Sequence, residues 1–118
     1  MNLEHRVAIV TGGGSGIGAA TAEALAASGA SVVVTDISEA AAEQTANVIE
    51  QRGQSATALV QDVTSPQQWE QVFEAATATF GAPNALVNNA GVSGAGQDRL
   101  EEPGGLDAVS YTHLTLPT

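Results

Sequence analysis

Eight residues near the start of the chain, Thr11-Gly12-Gly13-Gly14-Ser15-Gly16-Ile17-Gly18, are the ones best suited to chemistry. They follow a short apolar run, Val7 to Val10, and open an Ala-rich stretch. A glycine-rich turn between a strand and a helix suits a phosphate. The first N–H groups of a helix lack intrahelical partners, and the helix dipole favours negative charge there. Glycine is required because a Cβ would hold the backbone away from the ligand. Three further polar groups stand at the ends of apolar runs: Asp36, the pair Asp62-Val63, and Asn88-Asn89-Ala90-Gly91. A carboxylate at Asp36 can accept hydrogen bonds from ribose hydroxyls and repels a phosphate on the same sugar. Taken singly, Asp36 and Asp62 could each be helix-capping residues. Together with the turn they form one signature, because all four groups fall where strands end.

The elements that must position these groups alternate between strand and helix. Val7-Ala8-Ile9-Val10 is an unbroken apolar run, which predicts a strand buried on both faces of a parallel sheet. Gly16 to Ser28 predicts a helix closed by Gly29, and Ser31 to Thr35 a second strand ending at Asp36. Ser38 can cap a helix to about Arg52, stopped by Gly53, whose positions Ala41, Thr45, Val48 and Ile49 have helical spacing. Ala56 to Gln61 predicts a third strand. Ser65-Pro66-Gln67-Gln68 reads as a capping box with proline at the first helical position. Trp69, Val72, Phe73, Ala76 and Phe80 then form a helical stripe expected to pack into the core. Ala85-Leu86-Val87 predicts a fourth strand, and residues 93–105 a polar, Gly-rich loop. The expected fold class is α/β: a Rossmann-type doubly wound parallel sheet, of which the chain carries the first half, strand order 3-2-1-4.

Composition narrows the functional classes. With 118 residues the chain is one domain at most, and 43% hydrophobic residues suffice for a core. A net charge of −10 argues against nucleic acid or an anionic membrane as partner. Zero cysteines exclude a disulfide framework, a thiolate nucleophile and a Cys-ligated zinc site. His5 and His113 are too isolated for a metal site. No run is long enough for a transmembrane helix and no signal peptide is evident, so a cytoplasmic location is expected. Lysine is absent, and Tyr111 is the single tyrosine.

The spacing T-G-x-x-x-G-x-G at Thr11, Gly12, Gly16 and Gly18, with Asp36, Asp62-Val63 and Asn88-Asn89-Ala90-Gly91, resembles the single-domain branch of the short-chain dehydrogenase/reductase family. The resemblance runs from about Leu3 to Asp107. It implies an oxidoreductase that moves hydride between NAD and an alcohol or carbonyl substrate, with NADP disfavoured by Asp36, and a homo-oligomer in the full-length enzyme. Gly12, Ser15, Gly16, Ile17 and Gly18 would hold the pyrophosphate. Asp36 would bind the adenosine ribose, and Asp62 with the Val63 backbone the adenine. Asn88 would tie the central sheet together, while Asn89, Ala90 and Gly91 would line the cofactor's ribose. The family's catalytic Asn, Ser and Tyr-x-x-x-Lys have no counterparts here, because four residues after Tyr111 stands Thr115 rather than lysine. A non-catalytic nucleotide-binding module and a non-functional fragment are the alternatives.

Residues 109–118, Val-Ser-Tyr-Thr-His-Leu-Thr-Leu-Pro-Thr, resemble the translation of a transposase-end sequencing adapter. They read as an adapter-derived artefact, with a genuine Thr-rich strand as the alternative, and leave residues 1–108 as a partial dinucleotide-binding domain. In that partial domain the fourth strand is expected to keep one edge unpaired, so the chain is expected to aggregate or fold marginally and to lack dehydrogenase activity.

Overall fold

The computed structural model describes residues 2–89 and the backbone of residues 113–115. Strand β1 (Val7–Thr11) leads into helix α1 (Gly16–Ala27), β2 (Ser31–Asp36), α2 (Glu39–Gln51), β3 (Ala56–Val60), α3 (Pro66–Thr79) and β4 (Ala85–Asn88). The strands lie side by side in the order β3-β2-β1-β4, and every pairing among these four is parallel. The doubly wound architecture expected from the sequence is therefore present. The order reverses between β1 and β4, which places the crevice of an open α/β sheet above the ends of these two strands.

Strand alternation splits the core in two. On one face Val10, Val32, Val34 and Val87 meet Ala22 and Ala26 of α1 and Ala42, Ala46 and Ile49 of α2. On the other face Ile9 and Val33 meet Val72 and Ala76 of α3, with Leu59, Phe80 and Leu86 at the margin. The buried residues of α1 are Gly18, Ala22 and Ala26, one stripe of small side chains that lets the helix backbone lie close to the sheet. On α2 the buried stripe is Ala42, Thr45, Ala46 and Ile49, whereas Ala41 and Val48 are only half-buried. The expected stripe is thus displaced toward Ala42. Ala41 is turned to the glycine turn instead, where a Cβ on Gly14 would lie 2.5 Å from its own Cβ.

Both expected helix caps form. Ser38 Oγ accepts from the Ala41 N–H at 3.2 Å, and Ser65 Oγ accepts from the Gln68 N–H at 3.3 Å. The second half of the capping box at α3 does not close. The Gln68 side chain accepts from the Asp62 N–H at 2.7 Å, and the Ser65 N–H donates to the Asp62 carbonyl at 3.0 Å.

Two expectations are corrected. Phe73 was expected in the core, but it is 40% exposed, and Trp69 and Phe80 are half-buried. Among the described residues α3 is the only helix on its face of the sheet, so a wide apolar stripe cannot be covered along both flanks. The free edge expected for β4 is also occupied. A short strand β5 (His113–Thr115) pairs antiparallel with it, Leu86 opposite Thr115 and Asn88 opposite His113. A row of unpaired N–H and C=O groups accepts any extended segment that reaches it, and the tail does so in the direction opposite to the other strands.

Buried and exposed positions of the core under α3 should respond differently to truncation. Ile9 is fully buried between β2 and β4, so Ile9→Ala is expected to cost about 2–5 kcal/mol. Phe73→Ala is expected to cost about 1 kcal/mol or less. Urea unfolding midpoints compare the two, and equal losses would contradict this division of the core.

Candidate nucleotide-binding site

The turn after β1 is held from two sides. The Gly13 N–H donates to the Thr35 carbonyl and the Gly14 N–H to Asp36 Oδ2, both at 2.9 Å, which fastens the turn to the end of β2. Space is the second constraint. A Cβ on Gly14 would lie 2.7 Å from Asp36 Oδ2, and one on Gly18 would strike the Gly12 carbonyl and come within 2.8 Å of Asn89 Nδ2. Gly16 differs: it has φ +60, and among the described residues a Cβ there meets no atom within 4 Å. The room in front of Gly16 is open.

That room faces donors. Ser15 takes the N-cap position in extended conformation but makes no side-chain capping hydrogen bond, and the first turn of α1 carries no acidic residue. Among the described residues the N–H groups of Gly16, Ile17 and Gly18 have no acceptor; the next one, Ala19, reaches the Ser15 carbonyl at 3.3 Å. Ile17 is 68% exposed beside them. Three open N–H groups at the positive end of a helix, next to a space without side chains, suit an anionic oxygen cluster such as a pyrophosphate.

On the β4 side, Thr11 Oγ1 donates to Asn88 Oδ1 at 2.9 Å and accepts from the Asn89 N–H at 3.0 Å. One hydroxyl thereby locks the end of β4 to the end of β1 and brings Asn89 against Gly18. On the β2 side, Asp36 is half-buried. Its Oδ1 accepts from the Ser38 N–H at 3.0 Å while Oδ2 accepts from Gly14. Each carboxylate oxygen keeps a lone pair for a further donor, so the local turn and a ribose can be served together.

At the end of β3, Asp62 Oδ1 accepts from the Thr64 hydroxyl at 2.6 Å and the Thr64 N–H at 2.9 Å. Asp62 is therefore an Asx-turn residue, and the cap of α3 is Ser65. The Val63 carbonyl accepts from Trp69 Nε1 at 2.8 Å. Gly12, Ser15, Gly16, Ile17, Gly18, Asp36, Asp62, Val63 and Asn89 thus all stand along the carboxyl edge of the sheet; Ala90, Gly91 and Tyr111 lie outside the described residues. Sequence reasoning missed the supporting contacts of Thr64, Gln68 and Trp69, although Asp-x-Thr before a capped helix is a visible Asx-turn signal. Among the described residues no cluster of three His, Asp or Glu side chains could hold a metal, and no helix is long and apolar enough to cross a membrane.

The Thr64 hydroxyl, then its N–H, hold the Asp62 carboxyl below its ordinary pKa. Because the folded-state value is the lower one, this stabilisation is complete above the unfolded-state pKa and disappears as pH falls through the folded-state pKa. Thr64→Val is expected to raise the Asp62 pKa toward the ordinary value, read from the carboxyl carbon shift in an NMR titration. An unmoved titration would show that the hydroxyl does not set it.

Comparison with known proteins agrees with this geometry. The family profile described as short chain dehydrogenase matches residues 6–109. The 3-oxoacyl-(acyl-carrier-protein) reductase FabG of Vibrio cholerae is 43% identical over 93 residues, which are 79% of this chain and 37% of that protein. Cyclohexanol dehydrogenase of an Acinetobacter strain is 42% identical over 92 residues, 78% of this chain and 37% of the relative. Among solved structures, a hydroxysteroid dehydrogenase from Escherichia coli superposes with a TM-score of 0.75 at 42% identity, over 79% of this chain and 38% of its own. The chain spans a little over a third of the length of these relatives. A profile match over most of the chain, on the fold and strand order just described, shows that this chain belongs to the short-chain dehydrogenase family.

Proposed function

We propose that this chain is the NAD-binding portion of a short-chain oxidoreductase that interconverts an alcohol and a ketone. The observation that carries this reading is the set of N–H groups at Gly16, Ile17 and Gly18 that, among the described residues, have no acceptor and face a space with no side chain. In this reading Gly12, Ser15, Gly16, Ile17 and Gly18 hold the pyrophosphate, Asp36 the adenosine ribose, Asp62 and the Val63 N–H the adenine, and Asn89 to Gly91 the ribose on the nicotinamide side. Bound there, the nicotinamide supplies the hydride acceptor or donor. The names of the relatives, which include a 3-oxoacyl reductase and a cyclohexanol dehydrogenase, support a hydroxyl or ketone carbon as the reacting centre.

The preference for NAD over NADP rests on charge. Asp36 sits where a 2′-phosphate would lie, and neither Gly13 to Ser15 nor Ile37 supplies a cation to meet one. Arg52 stands at the far end of α2 from Asp36 and is paired with Glu23 at 3.3 Å. Proton transfer at the substrate oxygen belongs to a Tyr–Lys pair in this family. This chain contains no lysine, so by itself it is read as a binding unit without dehydrogenase activity. Residues 109–118 are read as adapter-derived.

Calorimetric titration tests the assignment. The chain is expected to bind NAD at least about tenfold more tightly than NADP, the modest end of what a like-charge contact costs. Asp36→Ala should shrink that preference, and equal binding of NADP by the parent would reject it. Gly16→Val should abolish measurable NAD binding, because its side chain fills the open space at the pyrophosphate. Since φ +60 also strains valine, circular dichroism must show that the variant is folded; a folded variant with parental affinity would remove the turn from the site.

A further inference from the structure

In the loop between β3 and α3, Asp62 and Val63 commit most of their polar groups. The Asp62 N–H donates to Gln68 Oε1, the Asp62 carbonyl accepts from Ser65, and Asp62 Oδ1 accepts twice from Thr64. The Val63 carbonyl accepts from the Trp69 indole. On Asp62 and Val63 themselves, this leaves one acceptor, Asp62 Oδ2, and one donor, the Val63 N–H, without a partner among the described residues. An adenine edge offers the complement, the N6 amino donor beside the N1 acceptor. A 6-oxopurine such as hypoxanthine presents an acceptor and a donor in the reverse order.

Two of the bonds that fix this loop come from consecutive residues in the first turn of α3. We propose that Gln68 and Trp69 are positioning residues for base recognition, holding the Asp62-Val63 backbone so that its two remaining polar groups select adenine over a 6-oxopurine. The proposal rests on the assignment of Asp62 and Val63 to the adenine. Packing alone does not explain either side chain. Trp69 is half-buried, with its ring 6.3 Å from that of Phe73 at an interplanar angle of 50°. A phenylalanine could fill the ring's place, but only the indole brings an N–H to the Val63 carbonyl. Gln68 is free to turn to the loop because the Ser65 N–H, its usual partner in a capping box, is already donating to the Asp62 carbonyl. The start of α3 is therefore organised around the loop as much as around its own cap.

The distinguishing quantity is a ratio of affinities. Calorimetry on the full 118-residue chain would compare NAD with nicotinamide hypoxanthine dinucleotide for the parent, Trp69→Phe and Gln68→Met. The parent should prefer NAD. Each variant should lose about three- to tenfold of that preference, the range that one neutral hydrogen bond commands, with the melting transition retained. A purely structural role would weaken both dinucleotides alike, and a variant ratio equal to the parent's would overturn the proposal while leaving the adenine assignment standing. A parent that binds neither dinucleotide, or both equally, would remove the adenine assignment and this proposal with it. If Trp69→Phe does not fold, Gln68→Met carries the test, since it leaves the Gln68 N–H bond to Ser65 in place.

Discussion

At the start of α1 the backbone of Gly18 lies so close to the Gly12 carbonyl and the Asn89 side-chain amide that a Cβ on Gly18 would meet both. This contact joins three parts of the chain: the turn after β1, the first turn of α1 and the end of β4. Thr11 reinforces it from below by donating to Asn88 and accepting from Asn89. The direction of the open N–H groups at Gly16 to Gly18 follows from that junction. Were α1 lifted by the radius of one methyl group, its donors would leave the crevice and its Ala stripe would leave Val10 and Val34. Cofactor approach and core packing thus depend on the same absence of side chains.

The two faces of the sheet meet this demand unequally. Beneath α1 and α2 the core is built of small residues and valines, and the large side chains left exposed among the described residues are Ile17 and Ile37, which flank the crevice, and Val60 at the end of the edge strand β3. Beneath α3 the cover is narrower. Val72 and Ala76 reach Ile9 and Val33, while Phe73 stays partly in water. Near the carboxyl edge of this face the buried groups turn polar: Thr35 Oγ1 donates to Gln61 Oε1 at 2.8 Å, and Gln61 Nε2 has no partner among the described residues. A buried amide with unused donors costs stability. The same face carries the loop between β3 and α3, which is fastened by the contacts of Gln68 with Asp62 and Trp69 with Val63.

What the sequence disclosed follows the range over which each signal acts. Strands β1 and β2 were legible because burial on both faces leaves unbroken apolar runs. Ser38, Ser65, Gly29 and Gly53 marked helix ends because capping and positive φ are settled within a few residues. The edge groups of the site were legible because each ends a strand. Hidden were the features fixed by neighbours distant in sequence or by competition among local partners. Ala42 rather than Ala41 is buried because the glycine turn occupies the ground above Ala41. The Gln68 side chain goes to Asp62 because Ser65 is already committed. Phe73 looked like core in a helical stripe, but its burial depends on whether a second helix stands beside α3. The tail strand was set aside on sequence grounds, yet an open edge on β4 is a template that does not depend on the origin of the segment that pairs with it.

Electrostatics poses the remaining puzzle, since a chain of net charge −10 and no lysine is read as binding an anionic dinucleotide. The resolution lies in distance. At physiological salt, fields from exposed carboxylates fade over about 8 Å, whereas an N–H donor meets a phosphate oxygen at about 3 Å. Surface acids thus contribute a weak, screened repulsion, and the helix start contributes a strong contact at short range. None of the three arginines lies in the turn, so in this reading the turn itself meets the pyrophosphate through backbone dipoles and the Ser15 hydroxyl. Backbone dipoles cannot be supplied by a side chain reaching in from elsewhere; they exist only where the turn holds its shape. The acidic surface leaves that binding possible, and Asp36, which among the described residues is the carboxylate tied directly to the turn, is close enough to act unscreened on a sugar seated beside the turn, as the proposed function has it.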